Sequence, residues 1–214
     1  EQLVSIIGKN GGDIFKFAGD ALLVIWPETT GLELAKSCRR AIQCALDIQA
    51  KLHDVEIAKN KKLSIKIGIG VGDVRILVVG GQFNRCEYLS VGEAMATACD
   101  SEGNATCGGQ TICTEKVYEL IQNSIEAELI ENDDGGHGHG GGGDMKFYLI
   151  QRLKGERVAM KADAYLMRTQ FSLDRIRTNF DYLKAFIPMA ISSYLAIEKE
   201  SWSKEIRLLT IMFM

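Results

Sequence analysis

The chain has 214 residues and a mass of 23.6 kDa, enough for one or two domains that bury about 70% of their unfolded surface without a disulfide or metal staple. Hydrophobic residues make up 46% and charged residues 25%, which excludes a disordered, collagen-like or low-complexity chain. Lys plus Arg number 25 against 28 Asp plus Glu, a formal charge of −3, so there is no electrostatic case for nucleic acid or an anionic membrane as partner.

Residues 1–7 read as the end of a helix. After the Gly11-Gly12 turn, Asp13 to Phe17 and Ala21 to Trp26 are two β-rich runs around Ala18-Gly19-Asp20, a hairpin pattern with a Gly-Asp turn. Pro27 ends the second run. Leu32 to Asp54 carries the strongest helical periodicity. Leu34, Ala35, Cys38, Ala41, Ile42, Ala45, Leu46 and Ile48 share one face; Lys36, Arg39, Arg40 and Gln43 take the other. Ser64 to Gly72 alternates strictly as a strand, its glycines suggesting close backbone approach or a bend. Asp73 to Val79 reads as its partner after a tight turn.

Glu87 to Val91 is a short strand candidate, and Gly92 to Ser101 a helix. Gln110 to Cys113 is a strand, followed by a helix over Thr114 to Ile121 with Thr114 as cap. Glu126 to Ile130 and Met145 to Leu153 form a last hairpin around a glycine-rich insertion. That insertion holds His137, His139, Asp133, Asp134 and Asp144, and the interleaved glycines favour a flexible loop over a metal site. From 156 to 204 the pattern turns helical, roughly over 158–182 and 188–202, and Leu208 to Met214 reads as a final strand. The expected architecture is α+β, an antiparallel sheet with helices packed on it, followed by a helical linker. Both ends read as cuts through a longer chain. The six cysteines contain no CxxC pair; Cys38 and Cys44 fall on an apolar-periodic segment and read as reduced core thiols. No apolar run reaches the length of a membrane span.

Asp20 carries the chemistry expected of the first hairpin. A hairpin tip projects a polar side chain from a rigid base, and the preceding Gly19 lets backbone and ligand approach closely. A carboxylate there suits a hard cation such as Mg²⁺, although Asp is also a common turn residue.

The run Phe15-Lys16-Phe17-Ala18-Gly19-Asp20-Ala21-Leu22-Leu23-Val24-Ile25-Trp26 resembles the central hairpin of class III nucleotidyl cyclases, above all the first catalytic domain of the soluble, bicarbonate-responsive adenylyl cyclases. The resemblance continues through Lys66-Ile67-Gly68-Ile69-Gly70-Val71-Gly72 and Tyr88-Leu89-Ser90-Val91-Gly92-Glu93-Ala94, in the family's order. Gly11-Gly12-Asp13-Ile14-Phe15 also resembles the diguanylate cyclase signature, but the downstream motifs side with class III.

The resemblance implies a ferredoxin-like, palm-type cyclase homology domain over 1–153, a linker over 154–204, and the first strand of a second such domain over 205–214. It implies conversion of ATP to cyclic AMP and pyrophosphate, with two Mg²⁺ or Mn²⁺ ions at the interface between the two domains. Asp20 matches one metal-binding aspartate; the other would precede Glu1. Lys66 matches a catalytic lysine aimed at the substrate phosphates, with a solvated strand lysine as the plain alternative. Phe17, Ala18, Gly19, Ala21 and Leu89 match the substrate-binding surroundings. Lys16 and Ser90 fall at the regulatory anion pocket, where the family's arginine is replaced by Cys99. The base-reading and transition-state residues would lie beyond Met214. A catalytically silent homology domain serving as scaffold or nucleotide sensor is the rival reading. A cytoplasmic location is the default, and the resemblance extends it to cilia or flagella.

Overall fold

A computed structural model describes residues 2–19, 21–27, 34–59, 61–82, 85–130, 145–158, 182 and 184–187. The helices expected over 158–182 and 188–202, the strand over 208–214 and the His/Gly insertion lie essentially outside these residues, as does Asp20.

Helix α1 (Gln2–Lys9) runs into the Gly11-Gly12 turn, and strands β1 (Asp13–Ala18) and β2 (Ala21–Ile25) follow as an antiparallel pair. Lys16 lies opposite Leu23, Phe17 opposite Leu22 and Ala18 opposite Ala21, with a register shift between Ile14 and Lys16 that leaves Phe15 at a bulge. Helix α2 (Leu34–Leu52), the longest helix among the described residues, buries its apolar stripe; Ile42 has no exposed surface, which contributes about 1.5–3 kcal/mol. Strands β3 (Glu56–Ala58) and β4 (Lys61–Lys62) form a short hairpin outside the expected elements.

The main sheet is ordered β5–β8–β10–β9, from β5 (Ile67–Ile69), β8 (Thr111–Thr114), β10 (Phe147–Leu153) and β9 (Ile125–Ile130). It is antiparallel at β8·β10 and β10·β9 and takes β5 in parallel alongside β8. Between β5 and β8 the chain makes β6 (Arg75–Gly80), β7 (Cys86–Val91) and helix α3 (Glu93–Gly103); α4 (Glu115–Ile121) follows β8. The Thr114 hydroxyl accepts from the Val117 N–H at 3.4 Å, the expected cap of α4.

Two expectations are corrected. The 64–72 run is a ladder strand only over Ile67–Ile69, and β6 pairs with β7 rather than with it. The cause is steric. Helix α3 lies so close over β5 that a Cβ on Gly68 would come within 2.1 Å of the Ala98 carbonyl oxygen, while Gly72 turns the chain away beside Glu93. Second, Gln43 is buried rather than on the solvent face of α2. Its amide donates to Asn10 Oδ1 at 2.9 Å, and its Oε1 accepts from the Val158 N–H at 3.0 Å.

One core joins α2, α4 and the sheet through Cys38, Ile42, Ala45, Cys113, Val117 and Ile150. A second joins α1, α2 and the first hairpin through Ile7, Cys44 and Ile48, with Ile14, Leu22, Val24 and Trp26 against them. The six cysteines are free thiols, and Cys38, Cys44 and Cys113 are buried.

Candidate active site

The second core fixes the hairpin from beneath. Alternation along β1 and β2 turns Ile14, Leu22 and Val24 onto Ile7 and Ile48, which leaves the tip to carry what the core does not need. Gly19 sits at the tip with φ +64°, and a Cβ built on it meets nothing within 4 Å, so the turn is open on its outer side. Phe17 is 65% exposed beside it, and Ala18 and Ala21 are also exposed.

Lys66 is exposed just before β5. Its neighbours Ile65 and Ile67 both pack into the core that underlies β1 and β2, so alternation directs the Lys66 side chain away from that core. This brings the segment 65–67 and the hairpin onto one support. Leu89 and Ser90 lie on β7 opposite Leu77 and Ile76. They are tied to the hairpin through Tyr88, whose hydroxyl donates to the Phe15 carbonyl at 3.4 Å and whose ring meets the Phe15 ring edge-on at 5.3 Å.

The expected anion pocket is less complete. Lys16 is half-buried on β1, and the Ser90 hydroxyl is 3.1 Å from Met95 Sδ. Cys99 is exposed on α3 and brings no charge comparable to a guanidinium. Arg85 is taken by Glu87 at 2.8 Å, and Arg75 is at the exposed start of β6. Cavities of about 180 Å³ beside Glu93, Thr97 and Lys116 and about 500 Å³ beside Gln110, Glu128 and Leu149 are lined by none of the expected site residues.

A divalent cation needs more oxygen ligands than one carboxylate. Among the described residues no group of three or more His, Cys, Asp or Glu side chains could hold a metal ion. The described residues alone therefore do not make a complete cation site. The aromatic connection from Tyr88 to Phe15 was missed in the sequence, where the only signal was an aromatic residue in each of two strands that do not pair.

The open glycine turn, the apolar strands beneath it and the glycine-bearing strand under α3 define an α+β domain of the nucleotidyl cyclase class. Residues 2–152 match the family described as "Adenylate and Guanylate cyclase catalytic domain", and the chain belongs to that family. It is 35% identical over 121 residues to "Adenylate cyclase type 10" of Rattus norvegicus, covering 56% of this chain, and 32% identical over 106 residues to that of Homo sapiens, covering 44%. The matched part spans only 7% and 6% of those relatives' length. In fold it is similar to the adenylyl cyclase CyaB of P. aeruginosa, with a TM-score of 0.60 and 19% identity over 74% of this chain and 80% of that one. It is also similar to the guanylate cyclase domain of RhGC from Catenaria anguillulae in complex with GTP, with a TM-score of 0.59 and 21% identity over 72% and 79%. Among the described residues no helix is long and apolar enough to cross a membrane.

Proposed function

We propose that this chain is the metal-binding half of an adenylyl cyclase site that converts ATP to cyclic AMP and pyrophosphate, completed by a second cyclase homology domain in the same longer protein. The observation that carries the reading is the β1–β2 hairpin: in a chain of the cyclase family, its register sets Ala18 opposite Ala21 around an open Gly19 turn that leads into Asp20.

Asp20 would hold Mg²⁺ or Mn²⁺, and Phe17, Ala18, Gly19 and Ala21 would form the floor on which the nucleotide rests. Bound divalent ions supply positive charge for the attacking 3′-oxygen and the departing pyrophosphate. Lys66, a point charge on a flexible stem, would meet the triphosphate. Leu89 would border the nucleotide from β7. The second domain would close over the β6–β7 ribbon, where Ile76, Leu77, Val78 and Val79 are all exposed. Residues 1–153 would form the first domain, 154–204 the linker and 205–214 the start of the second. The rival reading, a silent scaffold or nucleotide sensor, takes its support from Cys99 standing where the soluble cyclases are expected to carry an arginine.

The test is Mg²⁺- or Mn²⁺-dependent cyclic AMP formation by the full-length protein. Asp20→Ala is expected to lower the rate by about 100-fold or more, the loss that a few kcal/mol of charge stabilisation implies. Lys66→Ala is expected to raise the KM for ATP. An inactive parent decides for the rival, and activity that survives Asp20→Ala removes the metal role of Asp20.

A further inference from the structure

After β10 the chain turns back over α2. Arg39 donates to the main-chain carbonyls of Ser124 at 3.3 Å, Lys154 at 2.5 Å and Glu156 at 2.7 Å. Arg157 pairs with Asp47, and the Val158 N–H donates to Gln43 Oε1. Asp47 Oδ2 also accepts from Asn10 Nδ2 at 3.1 Å, and Gln43 donates to Asn10 Oδ1. The Asn10 carbonyl in turn accepts from the Trp26 indole at 3.0 Å. A continuous set of hydrogen bonds thus runs from residues 157–158 to Trp26, the residue that follows β2.

A second contact lies on the other strand. Ala185 accepts from the Cys86 N–H at 2.7 Å, at the start of β7. The Phe186 ring lies 6.1 Å from that of Tyr88, which meets Phe15 edge-on and donates to its carbonyl. Phe15 occupies the bulge of β1. An isolated two-stranded hairpin is marginal in water, so what touches its outer side matters to where its tip points.

We infer that two segments after β10, residues 154–158 and 184–187, act as straps that hold the β1–β2 hairpin at both strands, through Arg157 towards Trp26 and through Phe186 and Tyr88 towards Phe15. Phe186, Tyr88 and Arg157 are positioning residues for the hairpin; none of them needs to touch a nucleotide. The consequence for catalysis rests on the cyclase reading, whereas the mechanical coupling does not.

Amide hydrogen exchange of the full chain tests it. Phe186→Ala is expected to speed exchange of the paired amides between Phe15 and Val24 by about tenfold, the factor set by losing one aromatic contact, while β8 and β10 stay protected. Phe186→Tyr, which keeps the ring, restores the wild-type rate. Arg157→Gln, a surface change, is expected to speed exchange at the β2 end of the same hairpin. Unchanged hairpin exchange in both variants, or an equal acceleration in β8 and β10, overturns the straps. Cyclic AMP formation measured on the same samples separates the two ideas. A hairpin loosened in a protein with no wild-type activity leaves the straps standing and removes the enzyme. In an active protein, Phe186→Ala is expected to lower kcat more than it changes the KM for ATP.

Discussion

Gly68 has no room for a methyl group. A Cβ there would lie 2.1 Å from the Ala98 carbonyl oxygen and 2.3 Å from the Glu102 nitrogen, and both are backbone atoms of α3. Gly68→Ala must therefore push the helix off β5, an overpacking that costs about 1–3 kcal/mol. Gly19 is the opposite case: its surroundings are open, and only its φ of +64° resists a side chain, at about 1–2 kcal/mol for alanine. Urea unfolding is expected to show both losses, but Gly19→Asn should recover part of the second because asparagine tolerates the left-handed region, and Gly68→Asn should recover none of the first. A neutral Gly68→Ala would mean that α3 does not lie on β5 at this distance. Gly68 was legible as a point of close approach because a strand with alternate glycines has little other use for them. Gln43 was not legible. Its spacing on α2 is periodic with the polar face, and what buries it is Asn10, 33 positions away in the sequence and brought close only by the fold.

At the scale of elements, α2, the β1–β2 hairpin, α4 and the β9–β10 hairpin were all readable from local period, since each is paired or buried in a way its own residues announce. The partner of β6 was not. Alternation identifies a strand but says nothing about which strand it joins, and a short glycine turn after β5 suggested a hairpin that the volume of α3 forbids. The pairing with β7 leaves a ribbon with apolar residues exposed on both faces, Ile76 and Val78 on one, Leu77 and Val79 on the other, with Leu89 across from Leu77 and Tyr88 across from Val78. A two-stranded ribbon of this kind is not self-sufficient in water. Val78 is 64% exposed, so Val78→Lys has no core contact to lose and should leave the urea midpoint of the domain unchanged. It should weaken association with a second cyclase homology domain by about tenfold or more, given that burying one valine is worth about 1.5–3 kcal/mol. Sedimentation of the two domains as separate chains reads the association directly. Equal sedimentation of the variant and the wild type would place the proposed partner on another face.

For the whole molecule, the two larger cores are closed around three thiols, and that makes the packing measurable through pH. Burial pushes Cys38 up to about 11 and Cys113 up to about 12 from an ordinary 9.0. Cys44 is also pushed up to about 12, by burial first and then by the charge of Asp47. Once unfolded, all three release their protons near pH 9, while the folded chain keeps them up to about 11–12. Between those limits the unfolded state binds fewer protons, so stability is whole below about pH 9 and falls as pH rises towards 11–12. The exposed acids act at the other end. Hydrogen bonds from Arg152 and Lys62 hold Glu126 and Asp54 below their usual range, so their contribution is lost on acidification, but such surface pairs are weak. The urea midpoint is therefore expected to fall more steeply on the alkaline side, and replacing Cys44 and Cys113 with alanine should flatten that fall even though the cavities lower the midpoint at neutral pH. Alkylation supplies the independent measure: the exposed Cys99 and Cys107 should label in the native chain, while Cys38, Cys44 and Cys113 should label only at the rate of unfolding. A native chain in which the three buried thiols react as fast as Cys99 would mean that water reaches the interface between α2 and the sheet. Cys44 lies in the separate core beneath the β1–β2 hairpin, so its fast reaction would mean that the base of that hairpin is open to water as well.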